Sequence, residues 1–198
     1  MSQYGAFYGR WAPITAETNT ALPTYGEAVT LGAITKVTDA PTFHEATAEG
    51  DDRVQDSLSE FGYGTVDLNF AAGVDNEAKA AIWGSELSED GELAQSVDDE
   101  PPYGGYAIAT RMLRGSTKYF QGIFYPKLQA VPQGKDYNTR QRSGTTLTGD
   151  NIHMKWEAPL FGKYKYTSAE FDTEEEVKAW VDGKLSGAAA ASAKNTEG

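Results

Sequence analysis

Histidine is scarce and cysteine absent in this 198-residue chain, and among its 29 acidic residues no pair of carboxylates stands out as catalytic. His44 and His153 are the only histidines, and each falls in a segment that resembles a β-strand. The chain has no cysteine, which excludes a thiol nucleophile, a disulfide framework and thiolate zinc sites. No serine occupies a G-x-S-x-G turn, and two histidines are too few for a zinc site with three protein ligands. We therefore predict no catalytic residue, no metal and no cofactor.

Acidic residues are concentrated in residues 45–60, EATAEGDDRVQDSLSE, which we call the acidic arm. It carries six acids and one arginine, and its branched aliphatic residues are Val54 and Leu58. Its aspartates lack the D-x-D-x-D-G spacing of a calcium loop. The arm lacks enough apolar surface to offset the entropy of ordering, so we predict a mobile connection in an isolated subunit. A second acidic segment, residues 86–102, predicts a loop or small hairpin with a turn at Asp90-Gly91.

Charge is distributed unevenly along the chain. Residues 1–110 carry 19 acidic and 4 basic side chains, residues 111–165 carry 3 and 10, and residues 166–198 carry 7 and 3. One interpretation is that folding brings acidic and basic parts together within one molecule. Another is that two faces of opposite charge contact each other between copies. A nucleic-acid site is disfavoured, because the net charge of −12 would repel phosphates.

Hydrophobic periodicity predicts many antiparallel strands and two helices. Val66, Leu68 and Phe70 alternate with polar residues, as in a half-buried strand. Other predicted strands cover residues 6–14, 28–38 with a break at Gly32, 41–48, 106–113, 118–132, 144–158 and 163–171. A short helix is predicted over residues 74–84, where Asp75 or Asn76 begins it and Gly84 ends it. A second covers residues 172–185, where Thr173 and Glu176 form a capping box and Val177, Trp180, Val181 and Leu185 form an apolar stripe.

These elements predict an α+β, mainly β fold in one domain over residues 1–185, followed by a disordered Ala/Ser-rich tail over residues 186–198. No apolar run is long enough to cross a membrane, and no secretory signal is visible at the start of the sequence. Aromatic residues make up 12% of the chain, and several tyrosines fall in polar segments. Because exposed aromatic rings stack on sugars, a carbohydrate-binding β-sandwich is the alternative interpretation.

The order of elements resembles that of the major tail proteins of long, non-contractile phage tails, also called tail tube proteins. One block contains a leading strand, a strand pair around the acidic arm, and then a strand, short helix and acidic loop, GYGTVDLNFAAGVDNEAKAAIWGSELSEDGEL. The other contains a hairpin, a long Thr-rich strand, a last strand and a closing helix, DTEEEVKAWVDGKL. The resemblance covers roughly residues 4–185 and is one of layout, since the family has no invariant functional motif. Some relatives append an immunoglobulin-like domain at the position of the Ala/Ser tail, and we expect none here.

The resemblance implies two packed antiparallel sheets, in a sandwich or barrel-like arrangement, with a short flanking helix and a C-terminal helix. It implies hexameric rings that stack into a hollow tube through which the genome leaves the virion, with the sheets of neighbouring subunits joined into one barrel around the lumen. Expected partners are further copies, a tape-measure protein, and tail-tip and tail-terminator proteins. Genomic DNA would pass without specific binding, past a wall whose acids repel it. Assembly would take place in the host cytoplasm.

In such a tube the acidic arm would lie across the next ring, with Val54 and Leu58 as small apolar anchors and its acids against the basic part of the neighbour. The candidate inter-subunit residues are Glu49, Asp51, Asp52, Val54, Asp56, Leu58, Arg111, Arg114, Lys118, Arg140 and Arg142. The arm is therefore predicted to be long because its partner is another molecule.

Overall fold

The computed structural model describes residues 2–50, 53–134 and 149–186, and the side chains of residues 47–50 and 53–57 are not part of that description. In chain order the elements are β1 (Ser2–Ala16), β2 (Thr24–Tyr25), β3 (Val29–Thr30), β4 (Ile34–Gly50), β5 (Arg53–Phe70), α1 (Asn76–Trp83), β6 (Glu86–Leu87), β7 (Leu93–Ala94), β8 (Tyr103–Arg114), β9 (Thr117–Val131), β10 (Asn151–Trp156), β11 (Tyr166–Thr167) and α2 (Glu174–Leu185). The predicted α+β, mainly β class is confirmed.

Nine strands form one antiparallel sheet, in the order β2-β1-β8-β9-β10-β5-β4, with β3 added to β1 and β11 added to β9. β6 and β7 form a separate hairpin, as predicted for the second acidic segment. The two ends of the large sheet approach each other, because Gly9 of β1 lies directly against the Ile34 side chain of β4. The predicted packing of antiparallel sheets against each other is thus confirmed, although the backbone pairing runs unbroken through one curled sheet.

The main core lies inside this curled sheet. β5 places Val66, Leu68 and Phe70 in it, which confirms the alternation predicted for that strand. Trp11 and Trp156 are among the largest buried residues, and each indole lies over a glycine of a neighbouring strand. Only glycine permits so close an approach between the backbone and a ring.

The first helix closes one side of this core. α1 begins after Asp75 and ends at Gly84, which adopts the left-handed conformation expected of a helix-terminating glycine. Asp75 is the N-cap residue by position, although its side chain makes no capping hydrogen bond. The helix is held to β10 through Asp150, whose carboxylate accepts the Val74 N–H at 2.7 Å and pairs with the Lys79 ammonium at 2.8 Å.

A second, smaller core lies on the other face of β1, β8 and β9, under α2. Val177, Val181 and Leu185 are fully buried there, as the predicted stripe requires, while Trp180 is half-buried over Gly122. The predicted capping box is present, since the Thr173 side chain accepts the Glu176 N–H and the Glu176 carboxylate accepts the Thr173 N–H.

Over its described residues, the acidic arm continues the pairing of the two strands that flank it. β4 and β5 remain paired out to Gly50 opposite Arg53. Strand β10 pairs with β5 only over Gly64–Asn69, so no third described strand extends the sheet beyond that point. Residues 42–50 and 53–63 therefore form a two-stranded ribbon about 30 Å long. Backbone hydrogen bonds join the two strands of the arm, and its mobility in an isolated subunit stays a prediction.

Three other predictions differ from the structure or lie outside it. The strand predicted over residues 163–171 is reduced to β11 and an isolated bridge between Phe120 and Phe171. The strand predicted over residues 144–158 is seen as β10, which begins after the predicted irregularity at Gly149-Asp150, and residues 144–148 lie outside the described part. Residues 187–198, predicted to be disordered, lie outside it as well.

Candidate functional site

The base of the ribbon is built from stacked aromatic rings. Phe61 of β5 stacks on Tyr164 with ring centroids 4.1 Å apart and on Trp156 with centroids 5.0 Å apart. Phe43 of β4 meets Phe61 edge to face at 5.9 Å, and 47% of its surface remains exposed. The stack runs from the buried Trp156 out to the partly exposed Phe43, so it anchors the ribbon and leaves apolar surface at its base.

A charged clamp fixes β4 just before the ribbon begins. The Asp39 carboxylate accepts the Tyr125 hydroxyl at 2.8 Å and forms a short ion pair with the Lys165 ammonium. Burial on its own raises the pKa of Asp39, but the hydrogen bonds from Lys165 and Tyr125 and the charge of Lys165 outweigh it, so the pKa lies below its usual value. The ribbon thus extends from a firmly held base.

The ribbon has open backbone edges on both sides. β4 is the last strand of the sheet, so its outer edge has no strand partner in the described part of the chain. Among the described strands, none pairs with the inner edge of β5 from Arg53 to Tyr63, because β10 reaches only Gly64. A two-stranded ribbon is marginally stable in water, and unpaired edges recruit further strands.

The structure places the acidic members of the candidate set along this ribbon. Glu49 lies opposite Val54, and Asp56 lies opposite Ala48. Leu58 lies opposite Ala46 with 57% of its surface exposed, as an apolar anchor for a partner requires. Asp51 and Asp52 lie outside the described residues.

Two of the basic candidates are engaged within the chain. Arg111 pairs with Glu174 of α2 at 3.0 Å, and its guanidinium lies 4.0 Å from the centroid of the Phe7 ring. Arg114 pairs with Glu170 at 2.6 Å.

The remaining basic candidates are less constrained. Lys118 is exposed and makes no ion pair with any described residue, whereas Arg140 and Arg142 lie outside the described part of the chain. The prediction that the ribbon contacts these bases on a neighbour therefore applies most directly to Lys118.

Folding cancels much of the uneven charge within the molecule. Three further bases of residues 111–165 pair internally: Lys127 with Glu17, Lys155 with Glu157, and Lys165 with Asp39. Among the described bases of that part, these three and the two arginines have partners, and Lys118 and Lys163 do not. The internal interpretation of the charge pattern therefore holds for most of the described bases.

The two histidines lie apart in the sheet. His153 of β10 faces Asp67 of β5, with Nδ1 and the carboxylate oxygen 2.6 Å apart. His44 of β4 lies opposite Glu60, with its ring over Gly62.

The positions they face on β5 are separated by about 23 Å of extended strand. No group of three or more His, Cys, Asp or Glu residues in the described ranges is placed to hold a metal ion.

Most of the aromatic residues considered for sugar stacking pack inside the protein. Trp11, Tyr25 and Tyr106 are buried, and Tyr164 lies in the stack at the ribbon base. Exposed rings include Tyr4, Tyr63, which lies below the Lys155 ammonium, and Tyr103, which lies below that of Lys127. Each of these two cations occupies one face of its ring.

Comparisons with known proteins do not add a family to this geometry. No protein-family model matches the sequence, and no curated protein is significantly similar to it. In the described part of the chain, no helix has the length and apolar character needed to cross a membrane.

Sequence reasoning missed the residues that hold the ribbon. Phe43 stands alone among small and polar residues in the sequence, and the clamp between Asp39 and Lys165 joins positions 126 residues apart. A local signal existed for Phe43 and Phe61, since an aromatic residue on each side of an acidic segment is typical of a cross-strand pair. No local signal existed for the clamp.

Proposed function

We propose that this chain is a structural protein whose copies assemble into hexameric rings, stacked as the hollow tail tube of a phage with a long, non-contractile tail. It has no catalytic role in this proposal. The observation that supports it best is the two-stranded ribbon, residues 42–50 and 53–63. It extends beyond Gly64, where β10 stops pairing with β5. The hexameric symmetry comes from the resemblance in element order alone.

The ribbon supports assembly because contacts within its own chain leave its strand edges and some of its apolar side chains uncovered. In the described part of the chain its edges have no further strand partner, and Leu58 and Phe43 expose apolar surface. Each of these features is stabilised by contact with another molecule. In the proposed tube that molecule is a copy in the next ring, and a contact of standard size, about 1,600 Å², would recur at every subunit.

Charge complementarity suggests where the ribbon would bind. The turn between β8 and β9 carries Arg114, whose side chain is 55% exposed despite its pair with Glu170, and the unpaired Lys118. We expect the ribbon acids to approach this turn on the neighbouring copy. Because such rim charges affect association rate and specificity more than affinity, assembly should slow as salt is raised.

The proposal also covers the passage of DNA. A wall that carried unpaired bases ring after ring would retain a duplex by releasing its counterions. Here Lys127, Lys155 and Lys165 are each held by a carboxylate, which limits that retention. The proposed partners remain the tape-measure, tail-tip and tail-terminator proteins, and the proposed location is the virion.

Deleting residues 48–57 tests the proposal. The deletion shortens the ribbon and leaves Phe43, Phe61 and the clamp in place, so the variant should remain folded, with a cooperative thermal transition near that of the full chain. Negative-stain electron microscopy should show rings or tubes for the full chain and none for the variant. As a matched control, Glu89→Gln with Asp90→Asn removes two acids from the β6–β7 turn and should assemble normally.

Two results would count against the proposal. Tubes of normal length from a folded deletion variant would show that the ribbon is not the joining element. A full chain that stays monomeric but binds glycans would favour the carbohydrate-binding alternative.

A further inference from the structure

One residue of β1 has a strained backbone. Tyr8 has a φ of 53°, and within the described ranges it is the only residue other than glycine with a positive φ. It lies in a β-bulge, where Tyr8 and Gly9 of β1 face the single residue Ile108 of β8. A left-handed conformation is costly for a bulky side chain and persists only where surrounding contacts impose it. The backbone of Tyr8 therefore indicates a strong contact made by its side chain.

That contact is with α2. The Tyr8 hydroxyl donates to the Asp182 carboxylate and lies 3.0 and 3.2 Å from its two oxygens. The Arg10 guanidinium donates to the same carboxylate at 3.1 Å and to the Tyr8 hydroxyl at 3.2 Å. We call these three side chains the latch. The bulge makes the latch possible, because it turns the adjacent side chains of Phe7 and Tyr8 to the same face of β1, against α2.

The α2 side of the latch is also in an unfavourable position. Asp182 lies in the last turn of the helix, where the helix dipole disfavours an acid. Gly183 follows it, and a glycine inside a helix lowers helix stability. The last turn therefore depends on the latch and on the buried side chains of Val181 and Leu185. Opening the latch would relieve the strain at Tyr8 and allow this weak turn to unwind.

The latch is accessible to solvent, whereas the start of α2 is attached independently. The Arg10 side chain is 24% exposed and that of Asp182 is 45% exposed, so salt screens the attraction between them. At the other end of the helix, Glu174 pairs with Arg111 and Val177 is fully buried. The latch can thus open without releasing the whole helix.

We propose that the latch is a salt-sensitive switch that releases the last turn of α2, residues 182–185, while the rest of the protein stays folded. In the released state Tyr8 leaves the left-handed region and the bulge in β1 relaxes. Leu185 then leaves its position against Gly105, which uncovers apolar surface beside Tyr25 on the sheet. This inference goes beyond the tube function and does not depend on it.

Hydrogen exchange of single amides, followed by NMR at concentrations where the chain is monomeric, tests the switch. The Leu185 amide reports on the last turn of α2, and the Met154 amide in the buried strand β10 is the internal reference. Raising the salt concentration from about 0.05 to about 0.5 M should speed exchange at Leu185 about threefold or more and leave Met154 unchanged.

Asp182→Ala removes the latch and separates it from the local preferences of the helix. Alanine is the better helix former and removes an acid from the helix end, so without a latch Leu185 should exchange more slowly. With the latch, we expect exchange about tenfold faster and no longer dependent on salt. The backbone chemical shifts of Tyr8 should move toward those of extended backbone. Glu175→Ala, at an exposed acid in the first turn of α2, is the matched control and should change Leu185 exchange less than about twofold.

Three results would overturn the switch. Slower or unchanged exchange at Leu185 in Asp182→Ala would show that the latch does not hold the turn. Faster exchange with unchanged Tyr8 shifts would show that the turn opens without the bulge. Equal exchange rates at Leu185 and Met154 in the full chain, at every salt concentration, would show that the turn opens only when the whole protein unfolds. The tube function is tested separately, because all these measurements are made on monomers.

Discussion

Replacing Gly64 with alanine tests whether the base of the ribbon is packed as described. Gly64 lies in β5 opposite Trp156, the last residue of β10. A Cβ at this position would lie closer than 3.0 Å to the Trp156 indole, a separation that real Cβ atoms essentially never show. The indole has little room to move, because Trp156 is 1% exposed and its ring packs against Phe61, Tyr125 and Tyr164.

The expected cost follows from this packing. Overpacking of a core by one methyl group costs about 1–3 kcal/mol, and a confined ring places Gly64→Ala near the upper end, about 3 kcal/mol. For a chain of this size, that corresponds to a fall in Tm of roughly 6–12 °C. Gly183→Ala is the matched control: Gly183 lies inside α2 with nothing within 4 Å of the added methyl, so the same change should stabilise by about 0.5–1 kcal/mol.

Urea unfolding followed by tryptophan fluorescence measures both free energies of unfolding, at protein concentrations where the chain is monomeric. The midpoints should move in opposite directions with an unchanged dependence on urea. If Gly64→Ala proved as stable as the original chain, Trp156 would not lie over Gly64, and the stacked base of the ribbon would be wrong.

Two further predictions concern buried charges. Asp150→Asn keeps an acceptor for the Val74 N–H but leaves the Lys79 ammonium without its counter-charge. Urea unfolding should therefore show a free energy of unfolding that is lower by about 2–4 kcal/mol. A decrease of less than about 0.5 kcal/mol would contradict the described attachment of α1 through Asp150. Asp39 contributes stability above the ordinary carboxyl pKa of about 3.9, and that contribution is lost as pH falls through its lower folded-state pKa. Between pH 5 and about pH 2, the Tm of Asp39→Asn should therefore fall less steeply than that of the original chain. The same dependence of Tm on pH in both proteins would contradict the ion pair between Asp39 and Lys165.

Short-range patterns in the sequence predicted the elements that depend on residues close together in the chain. The capping box at Thr173 and Glu176 and the left-handed Gly84 depend on residues a few positions apart. The alternation of Val66, Leu68 and Phe70 likewise reports one strand with one buried face.

The ribbon could not be predicted in the same way. Its strands are stabilised by pairing with each other, and its composition, rich in acids and poor in aliphatic residues, is typical of a loop. A single-strand pattern does not show which residues lie opposite one another, so the register of Gly50 with Arg53 was not accessible from local sequence.

The charge pattern shows a second limit of sequence reasoning. The basic part of the chain suggested a face for a partner, yet Arg111 and Arg114 pair with acids of the C-terminal region and Lys127 pairs with Glu17. Charges far apart in sequence meet on neighbouring elements, and only the sheet order reveals these contacts. The candidate surface is consequently narrower than the sequence suggested, and it centres on the ribbon, its base and Lys118.

The central claim is that copies of this chain bind one another along the strand edges that each copy leaves unpaired. Negative-stain electron microscopy of the purified full chain, over a range of concentrations and with a tail-tip complex as initiator, tests it most directly. The account predicts closed rings or hollow tubes that lengthen with protein concentration. Single particles of monomer size under all these conditions, together with a monomeric mass by sedimentation, would contradict it.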